Sequence, residues 1–130
     1  MTGAVRVAVG VVFDAIGRVL VGQRPRGSLC AGKWEFPGGK LQDGENAYQA
    51  LCRELDEELG IEVLDAVPLL VVSHAYAQRN VILDVWRIVE YHGEPRGREA
   101  QRIEWVVPRA ILDLDFLPAN RPILRALETL

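Results

Sequence analysis

One segment constrains this chain more than any other. From Glu45 to Leu59, Tyr48, Leu51, Leu55 and Leu59 recur at three- and four-residue intervals, with Asp43-Gly44 ahead and Gly60 behind. That spacing predicts a helix with a single apolar stripe, stopped by a glycine suited to the left-handed cap. A one-sided helix must bury its stripe against something else, and the flanking sequence offers strands. Val5 to Phe13 is valine-rich, Asp14-Ala15-Ile16-Gly17 has turn chemistry, and Arg18 to Gln23 resumes a Val/Leu alternation. Ile61 and Val63 are β-branched, and further strands are expected at Val67 to Tyr76, Val81 to Tyr91 and Ile103 to Val107, with short helices after Pro108 and Pro118. Pro25 to Gly39, broken by two prolines and four glycines around Trp34-Glu35-Phe36, reads as an ordered loop without a regular element. Strands interleaved with helices predict an α/β fold: a mixed sheet covered by helices on both faces.

With 130 residues, 1–130 is expected to be one domain, and the 49% apolar and 25% charged content is that of a globular chain. The net charge of -3 supplies no basic footprint for a nucleic-acid polymer. Val7 to Phe13 contains Gly10 and ends at Asp14, so it is too short and too interrupted for a membrane span or a signal peptide. Cys30 and Cys52 make no disulfide framework. A monomer in the cytoplasm, bound to no membrane, is the expectation.

Taking Glu54 as the origin of a helical wheel, Glu57 falls near roughly 300° and Glu58 near roughly 40°, so three carboxylates share one face. Ala47 and Ala50 are placed on that acidic face, leaving space before the carboxylates, while Arg53 and Asp56 point elsewhere. A solvated charge run is the ordinary meaning of such a face. Here, like charges at i,i+3 and i,i+4 repel, and no Lys or Arg is spaced to neutralise Glu58. A hard divalent cation, Mg²⁺ above others, would remove that repulsion.

Read from Gly39, the chain runs Gly39, five residues, Glu45, seven residues, Arg53-Glu54-Leu55, one residue, Glu57-Glu58, one residue, Gly60-Ile61. This resembles the Nudix box at every fixed position, a match expected on the order of once in 10⁸ starts. The resemblance implies a Nudix-type α/β/α sandwich with a loop-helix-loop catalytic box, and hydrolysis of nucleoside diphosphates linked to another group with Mg²⁺ or Mn²⁺. By motif position it assigns Glu54, Glu57, Glu58 and the Gly38 carbonyl to the metal, and makes Arg53 and Glu45 the ion pair that fixes the helix. Trp34-Glu35-Phe36-Pro37-Gly38-Gly39-Lys40, the run GEPRGREAQ from Gly93 to Gln101, and Leu117-Pro118-Ala119-Asn120-Arg121-Pro122 are similar to the MutT branch, the 8-oxo-dGTP diphosphatases. That similarity brings Glu99 to the metals, makes Asn120 the reader of the oxidised base, and places Arg24, Arg79, Glu35, Phe36, Pro37 and Gly38 at the nucleotide.

The residue types suit that chemistry. Splitting a phosphoanhydride requires charge neutralisation on phosphate oxygens and an aligned water. Glu54 is the first choice of base, with Glu99 and Glu45 as competitors. 8-Oxoguanine shows a donor at N7 beside the O6 acceptor, where guanine shows two acceptors. A carboxamide matches the oxidised pattern, although Asn120 ahead of Arg121-Pro122 equally fits a helix N-cap. His74 and His92 lack a nucleophile partner, Trp86 and Trp105 read as core, and Trp34 is divided between core and base stacking. Two other functions stay open: a Nudix pyrophosphohydrolase for CTP, modified cytosine nucleotides or dNTPs generally, and a catalytically silent nucleotide-binding regulator.

Overall fold

A computed structural model describes residues 4–128. Strand β1, Val5–Val12, lies inside a four-stranded sheet of order β4-β1-β6-β5, parallel to β6 (Asn80–His92) and antiparallel to β4 (Gly38–Lys40); β5 (Glu62–Ala75) pairs antiparallel with β6 at the edge. β1 is near-continuously apolar because both its faces are covered. Ala8 and Val12 pack with Leu51, Leu55 and Leu59 of α1 (Ala47–Leu59), whereas Val9 and Val11 pack with Phe36, Phe116 and Ile123 on the other side. Gly10 brings the helix close: a Cβ there would press on Leu55 Cδ1 at 2.9 Å. The second face is closed by α2 (Pro108–Ile111) and α3 (Arg121–Leu127), which contribute Ile111, Ile123, Leu124 and Leu127 to the core. The α/β layering is as expected, and no helix among the described residues is long and apolar enough to cross a membrane.

Five sequence expectations need correction. The sheet is not single: β2 (Val19–Gln23) leaves β1 after one bridge, Phe13 to Val19, and joins β3 (Trp34–Glu35) and β7 (Arg102–Val106) in a separate antiparallel sheet. The segment Pro25 to Gly39 is not without regular structure, since it holds β3 and the start of β4; ladders of two and three residues are too short to show a period. Helix α1 begins at Ala47, because Asn46 caps it reciprocally with Gln49, and Asp43-Gly44 forms the preceding turn, with Gly44 at φ 83°. Ala50 is fully buried rather than open space before the carboxylates. Strand β5 also starts five residues before Val67; register shifts between Val63 and Leu70 break its alternation.

Candidate active site

Helix α1 and strand β4 build the acidic centre together. The two glycines that open β4 lie close on what is beneath them, Gly38 on backbone and Gly39 on a side-chain end. A Cβ on Gly39 would overlap the Glu54 carboxylate, and one on Gly38 would overlap the Ala8 carbonyl. Gly38 N–H in turn donates to Glu58 Oε2 at 2.8 Å, so the strand holds the helix's last acidic side chain.

Arg53 does not point away from this face, as the wheel implied, because its side chain is long enough to fold across it. Nε and Nη2 donate to the two Glu45 oxygens at 2.7 and 2.9 Å, Nη2 reaches Lys40 O at 3.0 Å, and Nη1 donates to Glu54 Oε1 at 2.8 Å and Glu57 Oε2 at 3.2 Å. The paired fork, with a further N–H from Gln42, holds the Glu45 carboxyl down at about 2. Glu58 is the opposite case. Burial, with Glu54, Glu35 and Glu99 nearby, pushes its carboxyl up to about 8 despite the Gly38 N–H.

Beside Glu58 opens a cleft of about 210 Å³. Arg24, Glu35, Pro37, Glu99 and Gln101 line it with Glu58, so the chain brings together five predicted site residues separated by up to 75 positions and adds Gln101. Arg24 contacts Glu35 at 3.3 Å and donates to Leu29 O at 2.5 Å, tying the loop after β2 to the cleft wall. Burial raises the Glu35 carboxyl, opposed by that arginine. Glu54 and Glu57, both held by Arg53, do not line this cleft, and Glu45 stands on the far side of the Arg53 fork.

Three predicted residues lie elsewhere. Phe36, between two cleft-lining residues, turns its ring into the core against Phe116, with centroids 5.3 Å apart. Arg79 is exposed in the turn between β5 and β6 and does not line the cleft. Asn120 is buried and stands at the N-cap position of α3, but its side chain makes no capping bond there; Oδ1 instead accepts from Phe36 N–H at 3.0 Å. Phe36 N–H can only donate, so this bond settles which amide atom is oxygen. Nδ2 has no hydrogen-bond partner among the described residues, where no fully buried side-chain polar atom lacks one, so Nδ2 reaches the surface. Beside it Tyr76 OH accepts from Ala119 N–H at 3.3 Å. Tyr76 and Gln101 carried no sequence signal of their own, because their contacts are made across the fold.

Among the described residues no three acidic, Cys or His groups converge into a ready cation cage. Arg53 occupies Glu54 and Glu57, while Glu58 turns to Gly38 N–H. The donor chemistry nevertheless suits a hard divalent cation: carboxylates are crowded on one face, and the most buried is penalised for its charge by the others.

Comparison with known proteins identifies the family. The chain is 39% identical over 124 residues to a CTP pyrophosphohydrolase of Escherichia coli, covering 94% of this chain and 90% of that one. It is 34% identical over 125 residues to an 8-oxo-dGTP diphosphatase of the same organism, covering 96% and 97%. A solved MutT structure, from work on the Aliivibrio salmonicida and Vibrio cholerae proteins, superposes with a TM-score of 0.85 at 28% identity, covering 98% of this chain and all of that one. The family model described as NUDIX domain matches residues 8–126, and with the box of α1 folded against β4 as described, the chain belongs to the NUDIX domain family.

Proposed function

We propose that the protein hydrolyses 8-oxo-dGTP, with water attacking the β-phosphorus, to 8-oxo-dGMP and pyrophosphate, and so clears an oxidised base from the nucleotide pool. The observation that carries this reading is the fixed amide of Asn120. One lone pair of Oδ1 is used by Phe36 N–H, which leaves the second for an N7–H and the open Nδ2 for O6. Guanine would set its N7 lone pair against that oxygen. A site built on such a pattern discriminates by factors approaching 10⁴.

In this reading Glu54, Glu57, Glu58 and Glu99, with the Gly38 carbonyl, hold Mg²⁺, for which Mn²⁺ can substitute. The cation supplies charge neutralisation at the phosphates and reverses the local field of an acidic site. Glu54 takes the proton of the attacking water, and Arg53 holds that carboxylate by one oxygen. Glu45, committed by both oxygens to the Arg53 fork, anchors the arginine. That leaves Glu99 as the competing base. Arg24, Glu35 and Pro37 line the cleft that would take the nucleotide, and Phe36, between Glu35 and Pro37 in sequence, links that wall to Asn120 through its N–H. The protein acts as a cytoplasmic monomer on free nucleotides, with no polymer or membrane partner.

A second reading, hydrolysis of CTP or modified cytosine nucleotides, is favoured by the relative named for CTP. Intact Glu54, Glu58 and Glu99 argue against a silent binding module. Pyrophosphate release from micromolar 8-oxo-dGTP, dGTP, CTP and 5-methyl-dCTP separates these readings. The first expects the highest kcat/KM on 8-oxo-dGTP, and a maximum on a cytosine nucleotide would replace it with the second.

A further inference from the structure

Helix α1 ends with its last carbonyls pointing at the loop between β6 and β7, which folds back to meet them. Arg96 N–H donates to Leu59 O at 2.9 Å, Arg98 N–H to Glu58 O at 2.9 Å, and the Arg98 guanidinium to Asp56 O at 3.0 Å. These bonds satisfy acceptors that a helix end leaves open. Gln101 adds one bond of the same kind and one that is different. Its Nε2 donates to Glu58 O at 3.2 Å, while its Oε1 accepts from Glu99 N–H at 2.8 Å. A carbonyl only accepts and a backbone N–H only donates, so the carboxamide has one allowed orientation.

One planar group therefore bridges the backbones of two acidic residues that both line the cleft. Among the described residues no other side chain bonds to both. Gln101 also lines the cleft itself. To close this bridge, Ala100 adopts φ 64°, a left-handed conformation that costs a residue with a Cβ on the order of 1 kcal/mol or more. A loop that only had to cap the helix would have no need of that bend, because the Arg96 and Arg98 bonds are made before it.

We infer that Gln101 is a positioning residue, whose carboxamide sets the Glu99 carboxylate in the cleft with Glu58 and so completes the acidic set. This rests on the reading of Glu99 as a cation ligand. Outer groups that orient ligands typically change cation affinity or activity by about 10–100-fold when removed.

The test is a double-mutant cycle of Gln101→Met, which keeps the shape without the bonds, and Glu99→Gln, with Mn²⁺ affinity of the nucleotide-free protein measured by electron paramagnetic resonance. Turnover of 8-oxo-dGTP and melting in EDTA are followed alongside. Gln101→Met should weaken Mn²⁺ binding and lower kcat by about tenfold or more, leave KM and the metal-free Tm nearly unchanged, and add no further loss in the Glu99→Gln background. Gln101→Asn, too short to span both partners, should behave likewise. Losses that add in full, or a Gln101→Met loss that follows the metal-free Tm, would overturn the inference and make the bridge purely structural. If Glu99→Gln alone leaves Mn²⁺ affinity unchanged, the reading of Glu99 fails and the inference fails with it. If 8-oxo-dGTP is simply not turned over, the substrate proposal fails, and the Mn²⁺ cycle still decides the role of Gln101.

Discussion

Replacing Glu58 by Gln should stabilise the metal-free protein at alkaline pH, against the usual outcome of altering a half-buried, hydrogen-bonded group. The folded protein holds the Glu58 proton up to about 8, whereas the unfolded chain releases it near 4.5. A raised folded value means that stability is fully present below 4.5 and is lost as pH climbs through 8. At about 1.4 kcal/mol per unit the ceiling is about 5 kcal/mol, and relaxation of the site brings the expected loss to on the order of 2–4 kcal/mol. Gln is neutral throughout, and its Oε1 still accepts from Gly38 N–H, so the variant lacks this pH slope. Urea unfolding in EDTA at pH 5 and pH 8.5, parent against Glu58→Gln, measures the difference. The variant should lie within about 1 kcal/mol of the parent at pH 5 and exceed it by more at pH 8.5, and added Mg²⁺ should stabilise the parent far more than the variant. Equal pH slopes in EDTA would refute the claim that Glu58 is desolvated and repelled.

Glu54→Gln should lower kcat by at least about 10² with the fold intact, since the side chain faces the site; near-parent kcat would remove Glu54 as the base. Gly39→Ala should displace the Glu54 carboxylate that its Cβ would overlap, lowering kcat about tenfold or more while Tm moves by only a few degrees. Ala100→Gly should relieve the left-handed backbone at φ 64° and raise unfolding free energy by about 0.5–1 kcal/mol, read by urea denaturation.

The acidic face was legible because its residues share one helix, where spacing in sequence is spacing in space. What failed there failed for definite reasons. A wheel gives angle but neither reach nor cover, so it sent the long Arg53 away from carboxylates it grips and put Ala50 in the open beside a core that buries it. Strands β3 and β4 were invisible because two or three residues carry no period, and their pairing partners are β2 and β1, remote in sequence for β4. Cap and reader were equally open for Asn120 in the sequence, since the bond that takes its oxygen away from capping, to Phe36 N–H, spans 84 positions. Gln101 stood inside a recognisable run, yet its meaning depends on the bend at Ala100 that brings its amide to Glu58 and Glu99.

The central claim is that the Asn120 amide reads the oxidised base, and kcat/KM for 8-oxo-dGTP and dGTP in the parent and in Asn120→Ala tests it most directly. The lost pairing belongs to the oxidised substrate alone, so its kcat/KM should fall by about 10² or more while that for dGTP changes little, and selectivity should collapse. The variant also loses the bond to Phe36 N–H, so a melting curve accompanies the assay. A selectivity ratio that stays at the parent value, with both substrates scaled down together and Tm lowered, would contradict the account and leave Asn120 as a strut between Phe36 and α3.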